Sequence, residues 1–247
     1  MRLLVYNIRY GAGAGKGFHF PFPFLGYLRK TTENLGRITA FIKGYTPDIV
    51  GLIEVDSGSF RCEKDNQAVR IAQELDHFHV FQSKYATHSK IGKLPVFNKQ
   101  ANAFLTSNEI RTQKFHYFQR GIKRLVIELE LKDLTVFLVH LSLKFRHRHD
   151  QLSDLYSLVK DVQTPVIVAG DFNPLWGDRE MNLFLAATGL RSANVEAKPS
   201  FPSWKPTRQL DFILHTPEIQ IRHFEIPRVT YSDHLPLVCD FEIRNGT

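Results

Sequence analysis

Short apolar runs alternate with amphipathic stretches along the chain. Runs of four to eight aliphatic residues predict β-strands, whereas apolar residues spaced three and four apart predict helices that bury one face. The pattern predicts strands at 3–6, 48–54, 125–131, 134–141, 165–169, 211–215, 219–226 and 236–243. It predicts helices at 33–43, at 68–75 with Asp65 as the cap, around 152–159, and in a short segment that ends at Gly189.

The order of these elements predicts an α/β fold. They do not follow a strict strand–helix–strand alternation, and the turn at Lys132 and Asp133 predicts a hairpin. Roughly ten strands in two packed mixed sheets, flanked by helices, would bury this many apolar residues. No repeat, low-complexity tract or linker-like stretch divides the sequence. We therefore expect residues 1–247 to form a single domain.

Composition excludes several classes of protein. The 247 residues are 43% hydrophobic and 23% charged, which is too apolar for a disordered chain. No run reaches the roughly 18 apolar residues of a membrane-spanning helix. The first residues lack the cleavage site of a secretory signal, which predicts a cytoplasmic location. Cys62 and Cys239 are too few for a disulfide scaffold or a four-cysteine zinc site, and we expect them to stay reduced.

The net charge of +7 favours polyanionic partners. Nucleic acid, phospholipid surfaces and phosphorylated small molecules all fit such an excess, and the charge does not choose among them.

Polar residues lie where the predicted apolar strands end. Burying charge is costly unless the charge is paired or binds a metal, so several such residues at one end of a sheet predict a shared polar site. These residues are Asn7, Glu54, His140, Asp171 with Asn173, Asp211 at the start of a strand, and Asp233 and His234 before the last strand.

Taken singly, these residues also have ordinary structural interpretations. Asn7 and Asp171 are of types that are common in turns. Glu54 fits a solvated strand end, His140 fits a hydrogen-bonded core histidine, and residues 232–234 fit a capping segment. All of these interpretations together would require six independent coincidences of position and residue type, which favours the shared site.

Six short motifs, in this order, resemble those of the endonuclease/exonuclease/phosphatase superfamily. They are residues 6–8, 52–56, 139–143, 170–173, 210–213 and 232–234, so the resemblance covers almost the whole chain. It implies a DNase I-like four-layer α/β/β/α sandwich, divalent-metal catalysis and hydrolysis of phosphoesters. His140 stands where abasic-site endonucleases tend to carry tyrosine, so the resemblance favours the deoxyribonuclease, sphingomyelinase and phosphatase branches.

The resemblance implies a divalent cation at the site, and hard cations such as Mg²⁺ prefer oxygen ligands. We expect Glu54 to be the first ligand, with Asn7 and Asp233 close to the same ion. Mg²⁺ is the expected ion and Mn²⁺ an alternative. The metal would polarise the phosphoryl oxygen and orient the substrate.

The remaining motif residues suit the chemistry around the phosphorus atom. We expect Asp171 to orient or deprotonate the attacking water and Asn173 to donate to the transition-state oxygens. His234 is expected to work with Asp211, and His140 to contact the phosphate. Whether Asp171 or His234 is the general base stays open in the sequence.

Other residues are weaker candidates for substrate binding, namely Arg61, Asn102, Arg120 and Trp204. Surface arginines are common without a function, and a tryptophan can simply anchor a loop. The basic stretch 144–149 fits either a solvated helix entry or a phosphate-steering patch. The phenylalanine-rich segment 18–27 fits a loop folded onto the domain, a peripheral contact with a membrane or a base-stacking surface.

Three functions remain as hypotheses. The first is a Mg²⁺-dependent phosphodiesterase, acting as a monomer on nucleic acid or on a phospholipid-like diester. The second is a phosphomonoesterase that acts on a small phosphorylated metabolite, such as an inositol or sugar phosphate. The third, and the least favoured, is a non-catalytic module that binds phosphate.

Overall fold

The computed structural model describes residues 1–14, 31–83, 97–121, 123–175 and 177–244, with the backbone alone at Phe97. Within these ranges it has twelve strands and four α-helices. The strands are β1 (Arg2–Asn7), β2 (Ile49–Asp56), β3 (Phe78–Ser83), β4 (Gln100–Thr106), β5 (Thr112–Tyr117), β6 (Leu125–Glu130), β7 (Thr135–His140), β8 (Val166–Asp171), β9 (Arg191–Ser192), β10 (Asp211–His215), β11 (Ile219–Glu225) and β12 (Leu237–Ile243). The helices are α1 (Thr32–Tyr45), α2 (Gln67–Leu75), α3 (Phe145–Val159) and α4 (Arg179–Thr188).

The strands form two mixed six-stranded sheets. The first has the order β11–β12–β1–β2–β4–β3, and the second has the order β5–β6–β7–β8–β10–β9. Each sheet has one parallel pair at its centre, β1 with β2 and β7 with β8. Since a parallel pair needs a crossover, α1 lies between β1 and β2 in the chain, and α3 lies between β7 and β8.

Alternate residues of the central strands point into two different layers of core. Leu3 and Val5 of β1 belong to the cluster between the two sheets, which also contains Leu138 of β7. Leu4 and Tyr6 of β1 belong to a second cluster, with α1 and α2 on the outer face of the first sheet. A third cluster joins the second sheet to α3 and α4. The layers confirm the predicted four-layer α/β/β/α sandwich. Because both faces of the central strands are buried, these strands appear in the sequence as continuous apolar runs.

The structure corrects the prediction in two respects. Asn66, not Asp65, caps α2, because its side chain accepts from the backbone N–H groups of Ala68 and Val69. The apolar pattern did not predict β3, β4 or β5. Strands β3 and β5 are partly exposed edge strands, and β4 is buried but rich in alanine and polar residues.

Two further expectations concern membranes and cysteines. None of the helices in the described ranges combines the length and the hydrophobicity of a membrane-spanning segment. Cys62 and Cys239 are both buried free thiols, as expected.

Candidate active site

Polar residues from both sheets meet at one edge of the sandwich. Asn7 and His140 are the last residues of β1 and β7, and Glu54 lies near the end of β2. Asp171 ends β8 and pairs in register with His140 on one side and with Asp211, the first residue of β10, on the other. Because β10 runs antiparallel to β8, its first residue lies at the edge where β8 ends.

Local backbone irregularities orient the side chains of Glu54 and Asp171 towards the site. Glu54 has a φ of 59° at a break in the register between β2 and β4, and its N–H donates to Asn102 Oδ1 at 3.3 Å. Such a bulge changes the direction in which a strand side chain points. Gly170, with a φ of 141°, precedes Asp171, and a Cβ there would lie 2.0 Å from the carbonyl oxygen of Val139. Only glycine lets β8 approach β7 this closely beside the site.

The carboxylate of Asp171 is the centre of the site. It is 1% exposed, and Asn7 Nδ2 donates to its Oδ2 atom at 3.1 Å. His140 Nε2 lies 3.3 Å from the same oxygen, and the backbone N–H of Asn173 donates to Oδ1 at 3.1 Å. Asn173 has a left-handed backbone with a φ of 53°, and its side chain donates to the carbonyl of Leu141 at 3.0 Å. Asn7, His140 and Asn173, from three of the six motifs, therefore converge on one buried acid.

A second acid holds His234 beside Asp171. Asp211 Oδ2 lies 2.8 Å from His234 Nδ1 and accepts from Ser200 Oγ at 2.6 Å. Nε2 of the same ring lies 3.9 Å from Asp171 Oδ2. One imidazole is thus shared between two buried carboxylates.

Burial and neighbouring charges shift the pKa of His234 in opposite directions. Burial disfavours the charged imidazole, but the carboxylates of Asp211 and Asp171 outweigh burial and raise the pKa of His234 to about 10. Burial also raises the pKa of Asp171, to about 6; His234 opposes this shift and Asp211 adds to it. The site therefore stabilises a cationic imidazole and weakens the acidity of its central carboxyl group.

Two cations that the sequence did not single out also lie here. Lys123 Nζ contacts His140 Nε2 and lies 4.0 Å from Glu54 Oε1, while His140 Nε2 lies 3.9 Å from the same glutamate oxygen. Arg9 Nε lies 3.4 Å from Asp233 Oδ2, and both side chains are largely buried. No periodicity or motif marks either residue, because each lies in an irregular segment next to a strand.

The donor atoms fit a divalent cation. One ligand atom each from Asp171, Asp211 and His234 lie within 4.8 Å of one another. Carboxylate oxygens of this kind are the ligands that hard divalent cations prefer. This grouping differs from the predicted ligand set, in which Glu54 is the first ligand and Asn7 and Asp233 lie close to the same ion. In the structure, Asn7 contacts Asp171, and Asp233 is paired with Arg9.

Among the weaker candidates, Arg61 and Asn102 are both buried near β2. Arg61 Nη2 donates to Asp56 Oδ2 at 2.6 Å, and its guanidinium lies 5.0 Å from the ring centroid of Tyr10. These contacts tie Arg61 to the end of β2 and to the turn after β1. Asn102 is bonded to the backbone of Glu54, and its Nδ2 atom is buried without a hydrogen-bond partner among the described residues. The structure therefore brings Asn102 to the site and engages Arg61 in an ion pair.

The other two candidates are more exposed. Arg120 Nη1 lies 3.2 Å from Asp150 Oδ2 on the surface. Trp204 is 39% exposed and follows Ser203, whose N–H and Oγ donate to the carbonyls of Asp233 and Ser232. Its loop is therefore attached to the segment that carries His234. The predicted membrane or base-stacking segment 18–27 lies outside the described residues.

Comparison with known proteins agrees with this geometry. The model of the endonuclease/exonuclease/phosphatase family matches residues 4–234. The chain belongs to the endonuclease/exonuclease/phosphatase family. Members of this family are hydrolases of phosphoesters that generally depend on divalent metal ions, so the predicted enzyme class is confirmed. No curated protein sequence matches the chain significantly.

Solved structures share the fold of the whole chain. An endonuclease/exonuclease/phosphatase from Beutenbergia cavernae has a TM-score of 0.75 and 19% identity, over 99% of this chain and 72% of that one. The human Nocturnin catalytic domain, solved with a sulfate anion, has a TM-score of 0.68 and 22% identity, over 98% and 94%. A mannosyl-6-phosphatase from Bacteroides thetaiotaomicron has a TM-score of 0.70 and 13% identity, over 98% and 100%. At these identities the likenesses show the fold alone.

Proposed function

We propose that this protein is a Mg²⁺-dependent phosphodiesterase that acts on nucleic acid or on a phospholipid-like diester. The observation that supports this most is the convergence on Asp171: Asn7, His140, Asn173 and His234 surround one buried carboxylate. A buried acid with several polar neighbours at a strand edge is costly for stability, and catalysis is the usual reason for such an arrangement.

Glu54, Asn7 and Asp233 are our proposed ligands for the metal ion, with Mn²⁺ as an alternative to Mg²⁺. When bound, the ion would supply Lewis-acid polarisation of a phosphoryl oxygen. Glu54 suits this role because its carboxylate lies close to two groups of the site, His140 and Lys123. Asp233 now pairs with Arg9, so it would have to share or exchange that partner.

The chain's own residues would handle the water and the phosphate oxygens. Asp171 is our candidate for orienting or deprotonating the water, because Asn7, His140 and Asn173 all contact its carboxylate. Asp211 fixes the His234 ring through Nδ1, which leaves Nε2 to face the reacting groups. His140 and Asn173 would donate hydrogen bonds to phosphate oxygens. His234 is the second candidate for the general base, a role that requires it first to give up the proton that Asp211 and Asp171 hold on it.

A phosphomonoesterase is the alternative, because one structural neighbour bears the name of a sugar phosphatase. The single domain, the monomeric state, the cytoplasmic location and the membrane contact of segment 18–27 also remain our proposals. Substrate binding by Asn102 and Trp204 is proposed on the same footing, whereas Arg61 and Arg120, which pair with Asp56 and Asp150, are the weaker candidates.

A substrate panel with Mg²⁺, Mn²⁺ or EDTA tests the function. It should contain plasmid DNA, single-stranded DNA, RNA, sphingomyelin, a chromogenic diester, and sugar and inositol monophosphates. We expect a diester to be the best substrate, EDTA to abolish its hydrolysis and Asp171→Asn to remove activity. Asp133→Asn is the matched control, since Asp133 is an exposed acid in the turn before β7, at the end opposite to His140. Preference for a monoester would support the alternative, and turnover in EDTA would contradict the metal requirement.

A further inference from the structure

The ammonium group of Lys123 lies among the acids and imidazoles of the site. It contacts His140 Nε2 and lies 4.0 Å from Glu54 Oε1. The Lys123 side chain is 24% exposed, which leaves the ammonium open to a ligand from solution.

A buried glutamine fixes the segment that carries Lys123. Gln151 of α3 is fully buried, and its Nε2 atom donates to the carbonyls of Lys123 at 2.7 Å and Arg120 at 2.9 Å. Its Oε1 atom accepts from the N–H of Ser142 at 2.8 Å. Ser142 follows His140 by two residues. One side chain therefore couples the backbone of Lys123 to the loop after β7, and this positions the ammonium beside His140.

The negative charge of the site suggests a role for Lys123. Glu54, Asp171 and Asp211 bring three carboxylates to one edge, where an anionic substrate would be repelled. In phosphoryl transfer, negative charge is spread over the non-bridging oxygens, and fixed cations stabilise it. A lysine on a flexible stem carries a compact charge with three donors, so it can turn from His140 to a phosphate oxygen.

Screening of Glu54 alone is a weaker explanation. At 4.0 Å the ion pair is too long for a hydrogen bond, and partly exposed pairs of this kind contribute little to stability. The other cation of the site, Arg9, is already engaged with Asp233 and with the carbonyl of Gly13. We propose that Lys123 binds a non-bridging oxygen of the substrate's phosphate group, as a substrate-contacting residue of the phosphoesterase proposed above.

The test compares three variants with the wild type. Lys123→Met removes the charge and keeps the length of the stem, and Lys123→Gln is a second neutral variant in case the first fails to fold. Lys114→Met is the matched control, because Lys114 also pairs with a glutamate, Glu128, at 2.9 Å but on the exposed β5–β6 hairpin. We would measure KM and kcat with a chromogenic diester, binding of inorganic phosphate by calorimetry, and Mn²⁺ affinity by electron paramagnetic resonance.

We expect each neutral Lys123 variant to bind inorganic phosphate about 10- to 100-fold more weakly, the range for a lost charge-assisted hydrogen bond. The KM for the diester should rise in the same variants. In Lys114→Met, both phosphate affinity and KM should stay within about twofold of the wild type. Mn²⁺ affinity should stay the same or increase, because a competing cation leaves the neighbourhood of Glu54.

Unchanged phosphate binding in the neutral variants would overturn the proposal. So would a loss of Mn²⁺ affinity as large as the loss of phosphate affinity, since Lys123 would then act only by positioning Glu54. If the wild type binds phosphate through Lys123 but hydrolyses no ester, the proposed function is wrong, whereas phosphate binding by Lys123 still holds.

Discussion

Two buried clusters of charged residues, one in each sheet, contain similar residue types but differ in how their carboxylates are paired. At the end of β2, both carboxylate oxygens of Asp56 are hydrogen-bonded: they accept from Arg61 Nη2 at 2.6 Å, from Ser59 Oγ at 2.5 Å and from the N–H groups of Ser59 and Gly58. At the ends of β8 and β10, Asp171 and Asp211 share the single imidazole of His234. The first cluster pairs one anion with one cation, whereas the second has an excess of negative charge.

The difference separates a structural cluster from a functional one. A carboxylate that is fully hydrogen-bonded to its own loop stabilises that loop and offers little to a ligand. A cluster with surplus carboxylates is unfavourable until a cation or a proton enters it. We therefore assign the Asp56 cluster to the fold and the Asp171 cluster to the chemistry, and the following predictions test that assignment.

The largest expected effect is on activity. Asp171→Asn should lower kcat about 100- to 10,000-fold, the range for loss of a general acid or base. Its free energy of unfolding should stay the same or rise, because one of two neighbouring buried carboxylates loses its charge. Kinetics on the best substrate and urea unfolding measure the two quantities. A variant that is less stable by several kcal/mol but fully active per folded molecule would reverse our assignment.

Arg61→Met should have the opposite profile. It leaves Asp56 buried without its cation, which costs about 3–5 kcal/mol of the free energy of unfolding when a buried pair is broken. Urea denaturation at pH 7 gives this value. If stability changes little and KM rises instead, Arg61 contacts substrate.

Asp211→Asn should change how stability depends on pH. Because the pKa of His234 is raised from 6.5 to about 10, its proton stabilises the fold fully below pH 6.5, and this contribution is lost as the pH rises towards 10. Without the Asp211 charge, we expect the stability lost between pH 6.5 and pH 10 to shrink by about 2 kcal/mol, a value typical of a charged hydrogen bond. Urea unfolding at both pH values, in wild type and variant, provides the comparison; parallel losses would mean that Asp211 does not hold the proton on His234.

The smallest effect is expected at the surface. Arg120→Ala breaks an exposed pair with Asp150, so the free energy of unfolding should change by less than about 1 kcal/mol. Thermal unfolding checks this. A larger loss would mean that burial does not separate structural from dispensable ion pairs in this protein.

The sequence predicted the central strands, and the polar residues that end them, for one physical reason. Strands such as β1 and β8 are buried on both faces, so they appear as continuous apolar runs, and Asn7 and Asp171 mark where those runs end. Edge strands β3 and β5 carry no such run. The predicted cap of α2 was wrong by one residue. Asp65 and Asn66 are both residue types that cap helices well, and only the geometry of the structure decides between them.

Side chains whose partners are distant in the sequence could not be predicted in this way. Arg148 lies in the basic stretch 144–149, yet it is buried against Glu180 and the carbonyl of Ser142. Lys123 and Arg9 reach the site from segments without periodicity. Their roles depend on which residues the fold brings opposite them, and the order of letters does not contain that information.

The central claim is that the edge of the sandwich that carries Glu54, Asp171 and Asp211 receives a divalent cation, and metal binding measures this most directly. Mn²⁺ titration, followed by electron paramagnetic resonance, should compare the wild type with Glu54→Gln and with Glu128→Gln, a glutamate that is 8% exposed on β6 outside the site. We expect the wild type and Glu128→Gln to bind Mn²⁺ equally and Glu54→Gln to bind it about tenfold or more weakly, as for a lost charged ligand. Equal affinity in all three proteins would contradict the claim.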